Sequence, residues 1–344
     1  MNLRTERALE RPAPIGTHYE VLHEISSSSL GALSLGRTVG GREADRPVLL
    51  RALEEGSVAR LEAALTRATS IAHPRLLKTL GLTYVDGRAY LVTEYVEGLP
   101  LSELARPMHA AAVSVVPEVA LRITLDALLA VSAARDELAR FGMKSLPRCL
   151  YADTAWIASF GETLLSDAGI ACELLNQRPA TSSDQQSDVF AAGSLLWELL
   201  SGRRLSNATD LEQVPSIEAV QMLLPSPRPL LDLVARAVSL DPAKRFGSVE
   251  AMADSIQALP VHWIATDAEV RAAVEVLAQA MPSAFNGTEG AASGEHEIDP
   301  WDTPTRSLRS HKFAPSLPPR GPDATTQRPP LPPRTPRPNG SGST

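Results

Sequence analysis

The chain has 344 residues, 44% of them hydrophobic and 21% charged, enough for a two-lobed domain of about 250 residues with extensions. A net charge of -7 and a pI near 5.6 give no basic excess for nucleic acid or an anionic membrane, so neither partner is expected. Two cysteines, Cys149 and Cys172, are too few for a disulfide framework, and a reducing cytoplasm is the expected location.

The N-terminal stretch is charged and lacks an apolar core, so it does not read as a signal peptide. No apolar run reaches the roughly 18 residues of a membrane span. Residues 1–17, with Pro12, Pro14 and Gly16 among charges, read as a loose arm. From His18 to about Leu53 the pattern is short and strand-like, broken at Gly40-Gly41. Ala52 to Ala72 has helical spacing and stops at His73-Pro74. Two strands follow, Leu76–Leu82 and Arg88–Glu94, with Asp86-Gly87 as the hairpin turn. Val119 to Arg135 is an amphipathic helix, and Ala155–Ala158 and Thr163–Ser166 flank a turn at Gly161. Ser187 to Gly202 is apolar almost all the way round, as a central helix must be; Ser187 or Asp188 is its expected N-cap and Gly202 its left-handed end. Leu230–Ala237 and the run Leu240 to Phe246 follow, then a further helix within residues 261–281. Residues 282–344 collapse into Gly, Ser, Thr, Pro and Arg, the composition of a disordered tail.

Ser187-Asp188-Val189-Phe190-Ala191-Ala192-Gly193 through Trp197-Glu198-Leu199-Leu200-Ser201-Gly202 resembles the central large-lobe helix of bacterial serine/threonine protein kinases. His73-Pro74-Arg75-Leu76-Leu77, Asp86 through Gly98, and Asp241-Pro242-Ala243-Lys244-Arg245-Phe246 resemble three further motifs of that family, in the right order. The resemblance covers about residues 18–260. It implies an α+β, two-lobed protein-kinase-like fold, with a small β-rich lobe over about 18–94 and a larger helical lobe over about 98–260. It also implies that Asp188 holds the backbone of the catalytic loop, that Thr93 is the gatekeeper, and that Glu94 to Val96 form the adenine-facing hinge.

The chemistry of the family is largely missing. Phosphoryl transfer needs a glycine loop, a lysine held by a helix glutamate, a catalytic aspartate, and a metal-binding asparagine and aspartate. In the loop Ile25 to Leu33 only Gly31 remains, with Ser26 and Ser28 at the first two glycine positions. Arg51 stands at the lysine position and Ala64 at the helix glutamate. Glu62 lies about 200° away round the helix, so Arg51 is expected to face solvent or find another carboxylate. In the catalytic loop Arg148 is kept, but Pro147, Cys149 and Thr154 replace histidine, aspartate and asparagine. A shifted register would put Asp153 at the aspartate, at the cost of Ala158 at the asparagine and a broken hairpin. Asp167 is the one retained metal-type ligand, readable equally as a turn residue. Ala171-Cys172-Glu173 reads as the end of a truncated activation segment, and Glu173 is expected to pair with Arg245.

The tail carries Pro315-Ser316-Leu317-Pro318-Pro319-Arg320 and Pro329-Pro330-Leu331-Pro332-Pro333-Arg334. Both fit the PxxPxR pattern that SH3-type grooves read through Pro315, Pro318, Arg320 and Pro329, Pro332, Arg334, and both also fit a stiff linker. The resulting expectation is a catalytically inactive pseudokinase with no catalytic residues and no resident cofactor, acting as a scaffold on other signalling proteins, such as an active kinase or an SH3-like domain. The alternative is an atypical serine/threonine kinase or ATP-binding switch, with ATP and magnesium held through Gly31, Arg51, Thr93, Glu94, Val96 and Asp167.

Overall fold

The computed structural model describes residues 18–40, 44–54, 56–142, 149–174, 184–205 and 227–280. The small lobe is built from β1 (His18–Ser26), β2 (Leu33–Val39), β3 (Pro47–Ala52), helix α1 (Ser57–Ser70), β4 (Thr79–Val85) and β5 (Arg88–Glu94). The strands form one antiparallel sheet in the order β1-β2-β3-β5-β4. β3 is its middle strand, and Val48, Leu49 and Leu50 are buried on both faces, as a continuous apolar run in a covered strand requires. Asp86 and Gly87, both at positive φ, make the β4–β5 turn that this pair of residues favours. α1 starts five residues later than its composition suggests, because the chain up to Ala52 stays in β3.

The large lobe contains β6 (Gly98–Pro100), α2 (Leu101–Ala111), α3 (Pro117–Arg140), β7 (Ala155–Ala158), β8 (Thr163–Leu165), α4 (Ala171–Leu174), α5 (Asp184–Ser201), α6 (Arg228–Ala237), α7 (Val249–Gln257) and α8 (Asp267–Ala280). β6, β7 and β8 form a second, three-stranded antiparallel sheet. α3 and α5 pack together at the centre of the main core, where Leu121, Ile123, Leu128, Val189, Ala192 and Leu196 are fully buried. Gly193 on α5 lets α6 approach: a Cβ there would lie 2.6 Å from the Ala237 Cβ. The expected apolar girdle of α5 is therefore real, and Gly202 closes the helix at φ 64°. Its N-terminus differs from expectation. The helix begins at Asp184, so neither Ser187 nor Asp188 caps it, and Asp188 faces the core instead.

Backbone hydrogen bonds join the lobes. The Leu77 N–H donates to the Leu165 carbonyl at 2.9 Å, and the Leu165 N–H to the Arg75 carbonyl at 3.0 Å. Behind the large lobe, Asp126 of α3 accepts from Arg122 at 2.9 Å and from Arg75 at 3.4 Å, and Arg122 also pairs with Asp267 at the start of α8. Val270 and Leu277 of α8 are buried in the main core. Among the described residues no helix is long and apolar enough to cross a membrane. The expected arm (1–17), tail (282–344) and tail motifs lie outside the described residues, as do Pro147 and Arg148.

Candidate functional site

The cleft between the lobes is where the sequence places the chemistry, and a buried ion pair occupies its centre. Arg51 sits on β3, paired with Leu33 of β2 and Leu91 of β5. Its side chain is 2% exposed. The Nε–H donates to Asp167 Oδ2 at 2.9 Å, Nη2 lies 2.7 Å from the same oxygen, and Nη1 reaches the Gly31 carbonyl at 3.5 Å. Asp167 is equally buried and also accepts from Ser166 Oγ at 3.3 Å. It adopts φ 53°, with Gly169 at φ 77°, so the Asp-Ala-Gly turn keeps its shape while its carboxylate faces a cation of the chain itself.

The reason lies on α1. Ala64 is 1% exposed and packs among Leu53, Leu61, Ala68, Leu91 and Ile170. The helix face that should carry a counter-charge is thus apolar, and Glu62 is exposed on another face. A buried guanidinium needs a partner, and Asp167 is the carboxylate within reach. Of the two expectations for Arg51, the second holds: it finds another carboxylate rather than solvent.

The catalytic-loop positions hold the loop together. Asp188 Oδ1 accepts from the Cys149 and Leu150 N–H groups at 2.9 Å each, and Oδ2 accepts from Arg135 at 2.8 Å. This is the backbone-holding role that the resemblance implies. Cys149 is a buried cysteine. The Thr154 hydroxyl is fully buried; it accepts from the Tyr151 N–H at 3.0 Å and lies 3.1 Å from the Cys149 carbonyl. Asp153 turns to a different place. It lines a small polar cavity with Ser102, Arg106 and His109 of α2, Glu198 of α5, and Arg204. There burial, helped by Arg204, pulls the His109 imidazole down to about 4. The shifted register that would make Asp153 catalytic is therefore not the one the fold adopts, since Ala155–Ala158 form β7 intact.

On the hinge side, Thr93 is buried, and Glu94 receives the Lys78 N–H on its Oε1 at 2.8 Å. The Val96 carbonyl accepts from the indole N–H of Trp156 at 3.1 Å. Trp156 is fully buried with Leu33, Leu49, Leu77, Ala158 and Leu164. In the glycine loop, Gly31 takes φ 100°, and a Cβ there would strike the Ala52 carbonyl. The neighbouring Leu30 is 3% exposed and packs with Tyr151 and Ala171 of the large lobe. Sequence reasoning missed Trp156 and Leu30. The available signals were a tryptophan on the strand after the catalytic loop and a leucine at the tip of a loop that should be polar and glycine-rich.

The expected Glu173–Arg245 pair is replaced by other contacts. Arg245 donates to the Ser239 carbonyl at 2.6 Å and the Gln186 carbonyl at 3.0 Å, and lies 4.6 Å over the Phe190 ring. Glu173 lies 3.6 Å from Arg67 of α1. α4 follows the Asp167 turn with no spacer, which holds Glu173 against α1. The expected end of the truncated segment, Ala171-Cys172-Glu173, lies in α4, and residues 175–183 are outside those described.

The two-lobed architecture matches a solved one: the Mycobacterium tuberculosis PknI kinase domain superposes with a TM-score of 0.50 at 21% identity, covering 70% of this chain and 95% of that one. The chain has a protein-kinase fold. No protein-family model matches the kinase-like chain. Its curated relatives are bacterial protein kinases: the serine/threonine-protein kinase PrkC of Bacillus subtilis, 23% identical over 279 residues; the tyrosine-protein kinase MasK of Myxococcus xanthus, 22% over 275; and the probable serine/threonine-protein kinase pknA2 of Bifidobacterium longum, 26% over 281. The matches cover 71%, 70% and 71% of this chain but span only 40%, 42% and 36% of those proteins.

Proposed function

We propose that this protein is a pseudokinase: a kinase-like domain that transfers no phosphate and acts as a scaffold or regulatory binding module in bacterial signalling. The observation that carries the reading is the Arg51–Asp167 pair, 2% exposed on both sides. The cation meant for nucleotide phosphates and the carboxylate meant for magnesium satisfy each other. Magnesium–ATP does not fit these residues. Magnesium needs several oxygen ligands, and Asp167 is already held by a guanidinium, while Cys149 and Thr154 bring no carboxylate or amide. Among the described residues no group of three His, Cys, Asp or Glu side chains could hold a metal.

Such a fold works as a surface. The tail motifs around Arg320 and Arg334 are the contact for an SH3-like groove, and two copies on one chain raise the effective concentration for a bivalent partner. An active kinase is the expected class of client. The test is incorporation of radiolabelled phosphate from magnesium–ATP, into the chain itself and into a generic basic protein substrate. Wild type and Asp167→Asn should give the same background. Incorporation that Asp167→Asn abolishes would overturn the reading.

A further inference from the structure

The slot beside the hinge is filled from inside the chain. We infer that Trp156 is its resident occupant, and that without this side chain the slot is a receptor for a flat bicyclic heteroaromatic compound carrying an N–H donor. Three observations carry this. The indole N–H is spent on the hinge carbonyl of Val96 at 3.1 Å, so the ring meets the hinge backbone with its donor. The ring is fully buried, although it rises from β7 of the large lobe, because its walls include Leu33 of β2 and Leu49 of β3 in the small lobe. The edge of the slot is also shaped for it: Gly98 holds φ 154°, and a Cβ there would lie 2.8 Å from Trp156 Nε1. Leu30, buried against Tyr151 and Ala171, brings the loop before β2 down onto the large lobe.

The ring does for the lobes what a ligand would do. It joins the two sheets through one apolar cluster and keeps them together with nothing bound. This goes beyond the loss of phosphoryl transfer, since it rests on the hinge side of the cleft and not on Arg51 or Asp167. The two ideas fail separately. A Trp156→Ala protein that binds adenosine and still transfers no phosphate supports both.

The experiment compares the full chain with Trp156→Ala and Trp156→Phe, following thermal unfolding with and without millimolar indole. Trp156→Ala should melt below wild type and recover by several degrees with indole. Trp156→Phe keeps a ring in the slot but loses the hydrogen bond to Val96. It should fall between the two and gain little from indole. An equal indole shift in wild type would mean that the slot is open and the inference is wrong. A folded Trp156→Ala protein indifferent to indole would also overturn it. Should Trp156→Ala not fold, the indole N–H of Trp156 in the wild-type protein decides, by nitrogen-edited NMR. Slow hydrogen exchange and no movement under millimolar adenosine are expected. Rapid exchange, or displacement by adenosine, would overturn the inference.

Discussion

Arg51 and Asp167 lie 116 positions apart and meet in the cleft because the helix opposite offers only Ala64. Burying both charges costs desolvation that their attraction offsets only when both are present. Arg51→Met should therefore destabilise the protein by about 3–5 kcal/mol by stranding Asp167. The double change Arg51→Met with Asp167→Leu should recover most of that loss. Urea unfolding midpoints check both, and a double variant as unstable as the single one would mean that the pair is not coupled. Arg51→Lys should lie between, because one ammonium cannot present two nitrogens to a carboxylate. His109 gives a pH-dependent term. Its folded value of about 4 lies below the ordinary 6.5, so the unfolded chain binds the extra proton between those limits. Stability should be full above pH 6.5 and fall as the pH drops towards 4, by at most about 3 kcal/mol. Glu198, whose carboxylate is 3.5 Å from His109 Nε2, favours the cation and trims that figure. His109→Gln should flatten the slope, as read from denaturation midpoints across this range.

At the scale of elements, the β7–β8 turn and α8 fit only because Gly161 has no side chain: it adopts φ 99°, and a Cβ would overlap the Asp267 backbone. Gly161→Ala should loosen α8 while leaving the central helices intact. Hydrogen exchange should then rise across residues 267–280 and stay slow across α3 and α5. A uniform rise would mean that α8 does not loosen separately from the core. Much of the element list is legible in the sequence, because the signals are local: Asp86-Gly87 for the hairpin, Gly202 for the end of α5, the apolar stripe of α3. Three helices escape that reading, the four-residue α4 among them. α2 contains Pro107, an interior breaker that the described fold nevertheless buries, and α7 is short, its cap at Ser248 being the main cue. The errors at the site have the other cause, long-range contact. Spacing alone makes Asp188 a cap; the resemblance points to the loop backbone, and the fold brings the Cys149 and Leu150 N–H groups and Arg135 to it. The pairing of Glu173 depends on how far the chain travels after Asp167, which spacing alone misjudges. The loss of catalytic residue types could be read position by position, whereas Trp156 filling the slot required the meeting of two sheets.

The whole molecule combines a kept architecture with an altered cleft. Asp188 still anchors its loop, α5 still runs through the core, and backbone hydrogen bonds at Leu77 and Leu165 still tie the lobes. Within the cleft, groups of the chain meet one another: Arg51 with Asp167, Trp156 with Val96, Leu30 with Tyr151. Deleting residues 283–344 should leave the melting temperature unchanged while abolishing binding to a purified SH3 domain, measured by fluorescence titration. Persisting capture would place the contact on the lobes. The most direct measurement is calorimetric titration of the full chain with ATP, with and without magnesium. No binding at millimolar nucleotide is expected in either case; micromolar, magnesium-dependent binding would mean that the cleft holds a nucleotide site after all.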